Sequence, residues 1–197
     1  MLSAGWRALR GTFFARYDEA ALLPCQLDDA NGPLWPALKD WCVSGVAQPG
    51  LRWAVHAGQD AGGAARRAAQ VCLELDGSLQ LLACGSGAAR LRLKLAVKLN
   101  DAMPWRARRE SDIWDSGFAH PGAEARRALM NFQPRRPTLI VLPATALDAE
   151  LRSALQARAP DFAHALQILV LGDPDAAAPE GALMDRIAPE GALVLPP

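Results

Sequence analysis

Two nearly unbroken apolar runs, Thr138-Leu139-Ile140-Val141-Leu142 and Leu166 to Leu171, constrain this chain more than any other feature. A strand with one wet face alternates apolar and polar residues. A run without alternation belongs to a strand covered on both faces, as in a parallel sheet with helices on either side. The segments around these runs fit that arrangement. Leu34 to Val43 places Leu34, Leu38, Trp41 and Cys42 at helical spacing, and Gln48-Pro49-Gly50 turns the chain. Leu51 to Ala57 reads as a short strand, Gly58 to Gly63 as a loop, and Ala64 to Leu75 as a helix with Ala68, Val71, Cys72 and Leu75 on one face. Asp76-Gly77 closes that helix, with glycine just past the last turn. Leu147 to Ala157 is helical. The order predicts an α/β fold with a mostly parallel sheet flanked by helices.

Between these elements the pattern changes. Leu79 to Ala83 reads as a strand and Cys84-Gly85-Ser86-Gly87 as a hairpin turn. Arg90 to Leu99 then alternates Leu91, Leu93, Leu95, Val97 and Leu99 with Arg90, Arg92, Lys94, Ala96 and Lys98, the signature of a strand with one basic face. The two segments together predict a hairpin. Asn100 to Pro137 reads as irregular apart from a helix over Ala123 to Met130. Residues 1–24 form an N-terminal arm and 25–197 a single domain. The tail holds one short echo, Ala178 to Leu183 and Ala188 to Leu193, read as two similar turns.

The chain has 197 residues, 51% hydrophobic and 21% charged, enough for one domain with a real core. Its formal net charge is zero, so no global field draws it to nucleic acid or membrane. Locally the charge is uneven. Seven basic residues lie between Arg90 and Glu110, including Arg106, Arg108 and Arg109, whereas eight acidic residues oppose three basic ones from Thr138 onward. Cys25, Cys42, Cys72 and Cys84 form no CxxC pair, which argues for free thiols in a reducing cytoplasm rather than a disulfide framework. No apolar run reaches the 18 or so residues of a membrane span, and Arg7 and Arg10 interrupt the apolar N-terminus. The Ala, Arg and Gly usage points to a GC-rich bacterial genome.

The chemically informative segment is Gly58-Gln59-Asp60-Ala61-Gly62-Gly63-Ala64-Ala65, between the first strand and its helix. It matches the Walker A pattern, Gly, four residues, Gly, Lys, Ser/Thr, at both glycines. At the Lys and hydroxyl positions stand Ala64 and Ala65. Lysine reaches the β/γ-phosphates and the hydroxyl holds Mg²⁺, and alanine does neither. Asp60 adds a negative charge where phosphates would sit. Arg66 and Arg67 lie just inside the helix, but a helix fixes the direction in which each side chain leaves the axis. A Walker B acid is missing too. Thr138 to Leu142 runs into Pro143-Ala144, the next acid, Asp148, falls on the following helix, and Asp173 reads as a loop carboxylate.

Leu51-Arg52-Trp53 through Gly58, Gly63, Arg66 and Cys72 resembles the first strand, P-loop and helix of bacterial STAND-type (AAA-like) P-loop ATPases. Trp114-Asp115-Ser116-Gly117-Phe118 and Arg135-Arg136-Pro137-Thr138-Leu139-Ile140-Val141 resemble the segments before and including Walker B. Leu34 to Trp41 resembles the helix that precedes the nucleotide-binding core. The resemblance spans about residues 25 to 175 and implies a P-loop NTPase-like core. The departures at Ala64, Ala65 and Leu142-Pro143 imply a domain without hydrolysis, and the chain stops short of that family's helical lid and effector regions.

Other constellations give little. His56, His120 and His164 have no ligands at metal spacing, and Asp115, Ser116 and His120 share a stretch of sequence without forming a triad. Ser86 does not meet the GxSxG pattern. Trp35, Trp41, Trp53, Trp105 and Trp114 read as core contacts, with one or two available to anchor a partner. The expectation is therefore a catalytically inactive, cytoplasmic P-loop-like domain that binds a protein partner or regulates one. No cofactor or metal is expected. The degenerate loop comprises Gly58, Gly62, Gly63, Ala64, Ala65 and Arg66. Two alternatives stand beside it: nucleic-acid binding through Arg90, Arg92, Lys94, Lys98, Arg106, Arg108 and Arg109, and residual nucleotide binding with Arg66 or Arg67 in place of the lysine.

Overall fold

The two apolar runs become neighbouring parallel strands at the centre of a seven-stranded sheet. A computed structural model describes residues 22–23, 25, 35–56, 60–101, 113–120, 122–172, 185–187 and 193–194. In chain order the elements are β1 (Leu22–Leu23), α1 (Pro36–Gly45), β2 (Gly50–His56), α2 (Ala61–Leu75), α3 (Ser78–Ala83), α4 (Gly87–Asp101), β3 (Asp115–Ala119), α5 (Ala123–Met130), β4 (Thr138–Pro143), α6 (Ala149–Arg158), β5 (Ala165–Leu171), β6 (Asp185–Ile187) and β7 (Leu193–Val194). Short 3₁₀ turns, Ala144–Ala146 and Ala159–Asp161, flank α6.

The strand order is β1-β3-β4-β5-β2-β6-β7. The five inner strands are parallel, and β1 and β7 close the edges antiparallel. Alternate residues of each central strand feed two cores. Ala54, Leu139, Val141, Leu169 and Leu171 pack under α1 and α2. Trp53, Val55, Ile140, Leu142, Ile168 and Val170 pack under α5 and α6, with Leu129, Leu151 and Leu155 from the helices. Both faces are covered, and that is why β4 and β5 lack alternation.

The expected α/β class and the strands at 51–57, 138–142 and 166–171 agree with the structure to within a residue or two. Three expectations are corrected. Leu79–Ala83 is helical, because Gly77 adopts φ 73° and the Asp76 carboxylate accepts the Ser78 N–H (2.8 Å), starting α3 at once. Arg90–Leu99 is not a strand but the body of α4. The Ser86 hydroxyl accepts the Ala89 N–H (3.2 Å) and its carbonyl the Arg90 N–H, so Gly-Ser-Gly caps a helix where a hairpin turn was expected. Asp115–Ala119, read as irregular, is a buried strand held between β1 and β4.

The end of α1 rests directly on the sheet. Gly45 lies so close that a Cβ there would fall on the Gln167 amide nitrogen and the Arg52 guanidinium. Gln167 donates to the Cys42 carbonyl (2.9 Å), while Arg52 donates to the Trp41 carbonyl (3.2 Å) and lies over the Trp41 ring. Gly45→Ala must therefore displace the buried Gln167 amide and the half-buried Arg52 guanidinium. It is expected to destabilise the fold by about 1–3 kcal/mol in urea unfolding, whereas the same change at exposed Gly85 does little.

Candidate functional site

Ligands of open parallel α/β sheets bind outside the carboxyl ends of the strands, where the strand order reverses. Here the order reverses at β5 and β2, so the carboxyl ends of β2, β4 and β5 define the crevice to inspect. His56 ends β2 fully buried, edge-on to Trp35 with ring centroids 4.9 Å apart. The Arg67 guanidinium lies over the Trp35 ring, 5.5 Å from its centroid. Gly172, just past β5, donates its N–H to the His56 carbonyl (3.2 Å). Its φ of 133° suits glycine, and a Cβ there would press on the Ala144 methyl at 3.0 Å, so the ends of β4 and β5 approach closely.

Gly58 lies outside the described residues, and the second half of the loop departs from expectation. Helix α2 starts at Ala61, three residues before Ala64. Asp60 is its N-cap: one carboxylate oxygen accepts the Gly63 N–H at 2.8 Å and the Asp60 carbonyl accepts the Ala64 N–H at 2.9 Å. A Cβ on Gly63 would fall on the Asp60 carboxylate as it stands, so the cap packs directly against the bare glycine. Gly62 is exposed. Ala64, at the lysine position, has no exposed surface and packs into the core beneath α1 and α2, with Ala65 partly buried against it. Arg66 is exposed, and Arg67 is turned onto Trp35.

At the end of β4, Leu142 is buried and Pro143 exposed, with no acid between them and Asp148. Asp148 caps α6 by accepting the Leu151 N–H (2.8 Å), and Arg126 of α5 donates to it from Nε (2.9 Å) and a terminal nitrogen (2.7 Å). The Leu151 N–H first, and then Arg126, hold its carboxyl below the usual aspartate range. It is committed to α5 and α6. Asp173 lies outside the described residues.

The expected basic face is not assembled as a sheet surface. Arg90 and Arg92 are exposed on α4, with Arg90 Nε donating to the Cys84 carbonyl (3.3 Å). The side chains of Lys94 and Lys98, and all of Arg106, Arg108 and Arg109, lie outside the description. A helix turns about 100° per residue, so Arg90 and Arg92, two positions apart, fall on opposite sides of α4. Among the described residues no three His, Cys, Asp or Glu side chains are placed to hold a metal ion. Ser116, beside Asp115 in sequence, donates its hydroxyl to the Cys72 carbonyl (2.9 Å), tying β3 to α2.

Sequence reasoning missed the polar cluster that ties α1 to the sheet. Asp185 of β6 accepts the Trp41 indole N–H and an Arg52 guanidinium nitrogen, the latter at 3.1 Å. The partners are more than 130 positions apart, so no local pattern marks them. The Cys42 thiol beneath is pushed well above the usual cysteine range by burial. These contacts hold the fold and lie away from the crevice end of β2. No protein-family model, curated protein or solved structure matches the chain.

Proposed function

We propose that this chain is a catalytically inactive P-loop NTPase-like domain, cytoplasmic and acting as a partner-binding or regulatory module. One observation carries the reading. The Asp60 carboxylate sits on the Gly63 N–H at the start of α2, the position where a helix N-terminus offers its donors to a phosphate. An internal anion thus takes the place of a ligand, and beside it the lysine position is a buried alanine. The topology supports the ancestry. The strands equated with Walker A and Walker B, β2 and β4, flank β5 in one parallel block, so their carboxyl ends open on one crevice, as a shared Mg²⁺-phosphate site demands. Buried Cys42 and Cys72, with free thiols, suit a reducing compartment. Among the described residues no helix is long and apolar enough to cross a membrane.

The test is calorimetry with ATP and GTP at millimolar concentration, with and without Mg²⁺, beside thermal unfolding. The expected outcome is no heat and no shift in Tm. A nucleotide at a hundred times its Kd would stabilise the fold by about 2.7 kcal/mol. Clear stabilisation would remove the proposal and favour a phosphate site using Arg66 or Arg67.

A further inference from the structure

Helix α4 carries the most exposed large apolar side chains among the described residues, Leu91 at 59% and Leu95 at 51%. Standing four positions apart, they share one face of the helix. Residues two apart on a helix lie about 200° from each other. The alternation that imitates a strand therefore splits into opposed stripes, with Leu91 and Leu95 on one side and half-buried Leu93 on the other. Whatever covers one stripe leaves the other open. The helix is also strongly basic: Arg90, Arg92, Lys94 and Lys98 stand against Asp101 alone, and the described arginines are exposed.

We propose that α4 docks as a helix into an apolar groove rimmed by carboxylates on a protein partner, Leu91 and Leu95 filling the groove and Arg90 and Arg92 meeting its rim. This names the chemistry of the partner in the module reading above and rests on it. Charge complementarity selects the occupant. A second copy of α4 would set four cations against four. A nucleic acid would engage the arginines and leave both leucines in water.

Calcium-loaded calmodulin, acidic and lined with methionine, is the probe for this groove chemistry. Titrated with the full chain, it is expected to form a complex that calcium chelation abolishes. Leu91→Glu with Leu95→Glu should weaken the complex about tenfold or more, and Arg92→Glu should weaken it less, with thermal unfolding unchanged because these side chains are exposed. Absence of a complex, or one indifferent to the leucine pair, overturns the proposal. So does self-association lost in the leucine variant. Binding of phosphatidylserine vesicles or duplex DNA in place of calmodulin has the same consequence. Nucleotide binding by the chain would sink the inactive-domain reading while leaving this titration standing, so the two failures are separable.

Discussion

Replacing Arg136 with alanine is expected to destabilise the domain by about 3–5 kcal/mol, a fall in Tm of order 10 °C for a chain of this size. Arg136 precedes β4 and Asp115 opens β3. Their charged groups lie 3.6 Å apart with both side chains no more than 7% exposed. At such depth the mutual attraction only offsets the cost of removing two charges from water, so the intact pair adds little. Removing one member is different, since it takes a counterion 3.6 Å away from a charge held in a low-dielectric setting. The geometry around the pair adds to the effect. The Asp115 N–H donates to the Pro137 carbonyl (3.0 Å) and the Thr138 hydroxyl to the Arg136 carbonyl (2.9 Å), so the pair sits at the joint that sets β3 against β4. Urea unfolding of Arg136→Ala and of the double variant Arg136→Met with Asp115→Asn separates the contributions. The double variant should recover most of the loss. Equal losses in both would show that the joint depends on packing by the arginine stem and not on charge.

What was legible in the sequence follows from how locally each element is determined. β2, β4 and β5 and helices α1, α2, α5 and α6 were readable because burial on one or both faces writes a period into their own residues. β3 was not. Asp115-Ser116-Gly117-Phe118-Ala119 has neither alternation nor β-branched residues, and it is a strand because β1 and β4 supply hydrogen-bond partners and Cys72 accepts from Ser116. In α4 the misleading signal was stronger than the true one. Strict alternation outweighed Ser86, whose N-cap was the only local sign of a helix start. A period of two has force only where a neighbouring strand pairs with it, and among the described strands none pairs with Arg90–Leu99. The candidate site was half legible. The alanines at 64 and 65 were plain, but the role of Asp60 was not, because the same residue reads as a loop acid until the helix is seen to begin immediately after it.

Ala64→Lys, which places a lysine where the proposed P-loop reading puts the Walker A cation, is expected to destabilise the domain by about 3 kcal/mol or more and to create no nucleotide binding. In a working phosphate loop the lysine position faces an open crevice, and the ammonium meets phosphate oxygens. Here Ala64 has no exposed surface and belongs to the same buried cluster as Ala68, Trp35 and Leu38, between α1, α2 and the sheet. The added methylenes must displace close-packed neighbours, and the ammonium must find water or remain unpaired. Thermal unfolding of Ala64→Lys, with and without millimolar ATP and Mg²⁺, reads both parts of the expectation. The opposite pair of results, a folded variant with undiminished Tm that gains stability on adding ATP, would mean that the crevice beside Ala64 opens readily. On the P-loop reading proposed above, nucleotide binding would then have been lost through side-chain chemistry alone. A destabilised variant indifferent to ATP would, on the same reading, put the loss deeper, in a helix that begins at Ala61 and a core that covers position 64.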